Sequence, residues 1–251
     1  MRNELIDYDI IGAIEEHGYM ILNRLDRKAF DLYMANQGYT LFIDGLARQD
    51  IELKVSIYED SLAERPFEGV FHTDFSSHEN PPDYVVVECI KPDPKYPKYG
   101  YNQIVSVEKL INELKSYDVR LFDRFKDLIF SFSVRNKVIS YAPLFLDEQG
   151  RYYMKYHPAY INNYNSLDER YFYKGLRIID FIEELALSLC DDILLNANQS
   201  FITSNKYCLH RRGRCTVDIK NQNNNRVINT FRYIKSWFMS YKELFVKKIG
   251  F

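Results

Sequence analysis

Apolar positions along this chain switch between a helical and a strand period, and the switches divide it. Residues 9–17 (DIIGAIEEH) carry apolar side chains at helical spacing up to Gly18, which predicts a short helix with a stop. Tyr19–Leu22 then reads as a strand, residues 26–36 as a second amphipathic helix ending before Gly38, and Thr40–Ile43 as another strand. From Phe67 onward strand signals dominate. Tyr84–Ile90 (YVVVECI) is almost unbroken β-branched and apolar, bounded by Pro81-Pro82 and Pro92, which predicts a central strand buried on both faces. Asn102–Val107 is a further strand. Residues 107–114 and 118–129 return to helical spacing.

Beyond these, Lys137–Phe145 and Arg151–Tyr156 flank Asp147-Glu148-Gln149-Gly150, a hairpin-like turn. Residues 167–189 form the longest helical pattern, and Ser166 with Glu169 would make a capping box at its start. Late strands are expected at 193–195, 200–203, 208–210 and 226–234, with the polar loop Asn221–Asn225 before the last. No repeat is evident. The expected class is mainly β with helices (α+β), with strands on either side of a helical insert. A double-stranded β-helix, or jelly roll, satisfies that order because its early and late strands pack face to face.

Composition narrows the function more than the fold. The 251 residues carry a formal net charge of −2 with mixed signs, so no field favours nucleic acid. No Pro/Gly/Ser-rich linker divides the chain, which is read as one domain over 1–251. Cys89, Cys190, Cys208 and Cys215 form no C-x-x-C pair, so a zinc ribbon or redox motif is not expected. Without a visible signal segment or apolar span, the expectation is a soluble, cytoplasmic protein with no membrane partner. The 21 Tyr and 17 Phe suit a core with a partly wet pocket.

Two short motifs carry the chemistry: Phe71-His72-Thr73-Asp74 and Leu209-His210-Arg211-Arg212. His72 and Asp74 are two apart, so on extended backbone they share a face. With His210 they offer two imidazoles and a carboxylate, the donor set of a non-haem Fe(II) oxygenase. The flanking order is His72-Thr73-Asp74, Pro81-Pro82, Gly100-Tyr101-Asn102-Gln103, then Asn205 to Leu209-His210-Arg211-Arg212. That succession resembles the Fe(II)/2-oxoglutarate dioxygenases of the taurine dioxygenase and clavaminate synthase group. The resemblance covers residues 67–107 and 190–235, the expected metal-bearing strands, and leaves 108–189 as an insert of helices and a substrate-facing hairpin.

The resemblance implies Fe(II) at His72, Asp74 and His210, with 2-oxoglutarate and O2 as co-substrates. It implies an arginine on the last strand for the co-substrate's distal carboxylate. Arg226 matches best, and Arg232 is the alternative, since both share a face with Ile228 and Thr230 on an extended strand. Gln103 stands where the family has a threonine on that carboxylate, and Arg212 matches the motif's final basic residue. Thr230 falls where many relatives have a second arginine for an anionic substrate group, and Arg211 where a small glycine is common. Tyr153, Lys155, Tyr156, His157 and Arg232 are the expected substrate contacts.

The implied reaction oxidises, most simply hydroxylates, a small metabolite such as a free or carrier-tethered amino acid, releasing succinate and CO2. Desaturation, epoxidation or isonitrile formation would use the same iron. An inactive jelly-roll binding protein is the alternative from another class, and a zinc hydrolase is disfavoured by the absence of H-E-x-x-H.

Overall fold

The computed structural model describes residues 9–43, 51–56, 64–134, 137–158 and 169–236. Fifteen strands and five α-helices lie among them. The largest sheet is built from β1 (Tyr19–Leu22), β13 (Ser200–Ser204), β4 (Tyr84–Lys91), β15 (Val227–Lys235) and β2 (Tyr39–Leu41) in that spatial order, all antiparallel. β3 (Ile51–Lys54) pairs with the first half of β15, beyond the reach of β2. A smaller sheet contains β12 (Asp191–Ile193), β5 (Asn102–Ser106) and β14 (Cys208–Arg212).

The alternation of β4 shows why its sequence lacks a polar face. Tyr84 and Val86 meet Ile10 and Ile14 of α1 (Ile10–His17) and Phe30 and Met34 of α2 (Arg27–Asn36). Val85, Val87 and Cys89 point the other way, against Ile104, Ile193 and Cys208 of the smaller sheet. That sheet's outer face, through Val105 and Leu209, is covered by α3 (Val107–Tyr117), α4 (Val119–Lys126) and α5 (Ile178–Leu189). Helices, sheet, sheet and helices therefore form successive layers, and both sheets are buried on both faces.

Several expectations change. The helix expected over 167–189 starts only at Ile178. Before it, β10 (Phe172–Tyr173) and β11 (Leu176–Arg177) form a hairpin whose two loop residues, Lys174 and Gly175, both have positive φ, 51° and 82°. That is the conformation a tight two-residue turn demands, and Gly175 supplies half of it without steric cost. The expected capping box involves Ser166, which lies outside the described residues. β6 (Phe130–Val134) and β3 had no expected counterpart, and the stretch 137–145 splits at Pro143 into β7 (Lys137–Tyr141) and β8 (Leu144–Leu146). No helix among the described residues is long and apolar enough to cross a membrane.

The turn between β8 and β9 (Tyr152–Met154) is the one the sequence predicts. Asp147 organises it: its carboxylate accepts from the Tyr207 hydroxyl at 2.7 Å, the Arg151 guanidinium at 3.0 Å, and the backbone N–H groups of Gln149 and Arg151. The Tyr207 bond leads in pulling the Asp147 pKa down to about 2. A carboxyl depressed on folding adds stability that is complete above its ordinary value near 4 and is lost as pH falls toward 2. Thermal melts across pH 2–7 should therefore show a shallower acid limb for Asp147→Asn than for the unmodified chain. Parallel limbs would refute this role.

Candidate metal and co-substrate site

His210 is delivered by β14 and His72 by an isolated antiparallel bridge to it. The two residues exchange backbone hydrogen bonds, N–H to C=O, at 3.0 Å in each direction. Their rings are thereby set side by side, tilted 52° to one another with centroids 4.6 Å apart. The chain then leaves the strand direction, and Asp74 is fixed by Asn205 instead. Asn205 Oδ1 accepts from the Asp74 N–H at 2.7 Å, and its Nδ2 donates to the carbonyls of Asp74 and Pro82, both at 2.9 Å. Asn205 is 2% exposed, so its amide acts as a buried clamp. This gives the leading Asn of the distal motif a physical reason.

The Nε2 atoms of His72 and His210 each lie 3.4 Å from the same oxygen, Asp74 Oδ1. One ligand atom from each of the three residues lies within 4.8 Å of the others, with room for a single ion between them. The other Asp74 oxygen accepts a hydrogen bond from Arg232 Nε. Burial alone would raise the Asp74 carboxyl, but the Arg232 charge and both imidazoles hold it well below the usual carboxylate range. Burial lowers His210 and keeps it a neutral donor. Burial also opposes protonation of His72, yet its bond to Asp74 and the Asp74 charge outweigh that and raise its pKa. His72 Nδ1 contacts the Val70 carbonyl at 2.8 Å, and a carbonyl can only accept. Nδ1 therefore carries a proton, and Nε2 is the ring nitrogen that faces the centre.

The trio opens into a cavity of about 360 Å³ between the two sheets. Val85, Val87, Phe201 and Ile228 make its apolar wall, and Thr230, Arg232 and His157 line it beside the trio. His157 lies 5.2 Å from His72, ring to ring, and burial beside that imidazole pushes its pKa down to about 4. Asn102 and Arg212 line another part of the cavity. Arg226 lies behind them, 1% exposed, with Nη2 donating to Asn102 Oδ1 at 3.2 Å. Two buried donors there, Arg226 Nε and Asn102 Nδ2, make no hydrogen bond, and no ion pair to Arg226 is found among the described residues. Gly100 makes the arrangement possible: its φ is +78°, and a Cβ there would meet Asp93 Cβ at 2.5 Å and Arg226 Cδ at 3.3 Å.

The expected site residues divide accordingly. His72, Asp74 and His210 meet, and Arg212, Arg232 and His157 line the same cavity. Gln103 does not face it. Ile104 pairs with His210 and Gln103 with Arg211, so Gln103 occupies the opposite face, where it accepts from Arg211 Nε at 2.5 Å and donates to Asp192 at 2.8 Å. Arg211, in the place of a small residue, also stacks on Phe71 at 4.8 Å. Tyr156 is fully buried in the helix-side core, with its hydroxyl on Glu183. Tyr153 and Lys155 face a separate cleft beside Pro81 and Lys206. There Lys155 is tied to the carbonyls of His78 and Glu79 at 3.2 and 2.7 Å. Asn102, absent from the expected set, takes the cavity position denied to Gln103.

No family model and no curated protein matches the sequence. Solved structures do match in fold. An asparagine oxygenase in complex with Fe(II), (2S,3S)-3-hydroxyasparagine and succinate superposes with a TM-score of 0.57 at 15% identity, over 73% of this chain and 56% of that one. The chain thus spans little more than half the length of that enzyme. The non-haem iron oxygenase OrfP in complex with Fe and α-ketoglutaric acid gives 0.65 at 12% identity, over 93% of this chain and 79% of that one. A taurine dioxygenase from Burkholderia xenovorans gives 0.59 at 16% identity, over 88% and 78%. At such identities the likeness establishes the fold: antiparallel sheets with helices, arranged as in these oxygenases.

Proposed function

We propose that this protein is an Fe(II)- and 2-oxoglutarate-dependent oxygenase acting on a small metabolite, with a free or carrier-tethered amino acid as the favoured substrate class. One observation carries the reading. Two imidazole nitrogens and an ionised carboxylate converge at a cavity, and in and behind its wall lie a buried amide and guanidinium, Asn102 and Arg226, each with a donor that has no partner. The donor set is that of a ferrous oxygenase site, and buried donors without partners are what an anionic co-substrate would satisfy. The facing sheets are read as a double-stranded β-helix and the chain as one domain, with 108–189 as its helical insert.

His72, Asp74 and His210 would hold the metal, which when bound supplies O2 activation coupled to oxidative decarboxylation of 2-oxoglutarate. Arg232 neutralises the outer oxygen of Asp74 and so keeps that ligand charged and oriented. This places Arg232 on the metal ligand and leaves Arg212, Arg226 and Asn102 for the co-substrate's distal carboxylate. Arg226 fixes the Asn102 carbonyl oxygen, which leaves the buried Nδ2 as an unused donor. The apolar wall excludes water from the reacting atoms. His157, Thr230 and Arg232 border the space where substrate would sit. The retained carboxylate of Asp74 supports oxygen insertion over halogen transfer, in which that position is vacated for a halide.

The amino-acid class draws support from the asparagine oxygenase complex, whose product is a hydroxylated amino acid. The test is succinate release from 2-oxoglutarate across a panel of free and carrier-bound amino acids, with Fe(II) loaded anaerobically and air then admitted. Substrate-dependent succinate and a product 16 mass units heavier (the mass of one oxygen atom, ~16) are expected. Succinate formation that no panel member stimulates would remove the amino-acid assignment. A total lack of succinate with iron bound would favour the inactive binding protein.

A further inference from the structure

We propose that Glu183, contributed by α5 of the helical insert, is a positioning residue for the metal loop, bracing Phe71-His72-Thr73 from the side opposite the cavity. The inference rests on the metal assignment above. Glu183 Oε2 accepts from the backbone N–H of Phe71 at 3.1 Å, and Oε1 accepts from the Tyr156 hydroxyl at 3.4 Å. Tyr156 in turn holds the residue on the other side of His72. Its carbonyl accepts from the Thr73 N–H at 2.7 Å, and its N–H donates to Thr73 Oγ1 at 3.0 Å. The segment is therefore tied at every residue: Phe71 by Glu183, His72 by His210, Thr73 by Tyr156 and Asp74 by Asn205. Only the first and third of these ties depend on the insert and hairpin, and the Glu183–Tyr156 contact joins them.

A charged acceptor on a backbone N–H makes a stronger and more directional bond than a neutral one. Here it fixes the peptide immediately before a metal ligand whose ring has only one productive orientation. Partners that orient ligands in this way are commonly worth about 10–100-fold in metal affinity. Phe71 is fully buried, so its N–H relies on the Glu183 carboxylate for an acceptor.

The experiment titrates Co(II), as a spectroscopic stand-in for Fe(II), into the metal-free full chain and into Glu183→Ala, Glu183→Gln and Glu184→Ala. Glu184 is the exposed neighbour on the same helix and controls for helix propensity. Glu183→Ala is expected to weaken Co(II) binding about 10-fold and to alter its visible absorption band. Glu183→Gln retains an oxygen for the Phe71 N–H and should recover most of the affinity, while Glu184→Ala should match the unmodified chain. A purely structural residue would lower the melting temperature and leave the cobalt affinity and band alone, and that result would overturn the brace. If the alanine variant does not fold, Glu183→Leu, which keeps comparable bulk and removes both acceptor oxygens, decides: an affinity and a band both identical to the unmodified chain would overturn it. Failure of the unmodified chain to bind Co(II) would instead remove the metal assignment beneath it.

Discussion

Replacing His210 with alanine is expected to abolish succinate formation and to leave the purified protein without stoichiometric iron. Outer partners of metal ligands are worth about 10–100-fold in affinity, and loss of a ligand itself should exceed that range. The fold should survive. The bridge that places His72 is made by the backbone N–H and C=O of residue 210, which alanine keeps. Asp74 loses the imidazole at 3.4 Å but retains Arg232 and the Asn205 clamp on its backbone. Iron content and activity should therefore collapse together, with the melting temperature of the metal-free protein changing little. His72→Ala should behave alike. A His210→Ala protein that still carried one iron per chain, with activity to match, would show that the trio is not the metal site.

That separation of site from fold bears on what the sequence discloses. The convergent trio was legible because its chemistry is rare: two histidines and a carboxylate in motifs of fixed order, with Pro81-Pro82 and the YVVVECI strand between them. β4 was legible for a simpler reason, since a strand covered on both faces needs apolar residues throughout. The same property hid the cavity wall that β5 contributes. All of Asn102–Val105 is buried, so the pattern of β5 does not show which residues face the cavity. Parity is set by register, and the pairing of Ile104 with His210 turns Asn102 inward and Gln103 outward. Matching motif letters gave the opposite parity. The 152–157 stretch failed similarly, because tyrosine suits core and surface equally. Met154 and Tyr156 went to the core, Tyr153 and Lys155 to a separate cleft, and only His157 to the cavity at the trio. Glu183 lacked any local signal: on α5 it reads as an ordinary helix carboxylate, and only tertiary packing brings it to Phe71.

Arg226→Met is expected to raise the 2-oxoglutarate requirement steeply while leaving the co-substrate-free protein as stable as before, or more so. The guanidinium is 1% exposed, its Nε lacks a partner, and its positive charge lies close enough to Arg212 to help depress that group, after burial. A buried guanidinium with an unpartnered nitrogen is costly until an anion joins it. Methionine fills comparable space without charge, so its removal of that penalty should offset the lost bond to Asn102. With the anion present the balance reverses. Truncating one member of a buried, hydrogen-bonded charge pair costs about 2–5 kcal/mol, which is roughly 30-fold to several thousand-fold in affinity. Binding can be followed without turnover, because a ligand that binds only the folded state raises its melting temperature in proportion to ln(1 + [L]/Kd). With Co(II) in place and O2 excluded, added 2-oxoglutarate should raise the melting temperature of the unmodified chain and barely move that of Arg226→Met. Arg226→Lys should fall between them, since it keeps the charge and loses the fork. Arg232→Ala should perturb cobalt binding through Asp74 and leave the 2-oxoglutarate response largely intact. The reverse pattern, with Arg226→Met responding normally and Arg232→Ala not at all, would move the co-substrate anchor to Arg232.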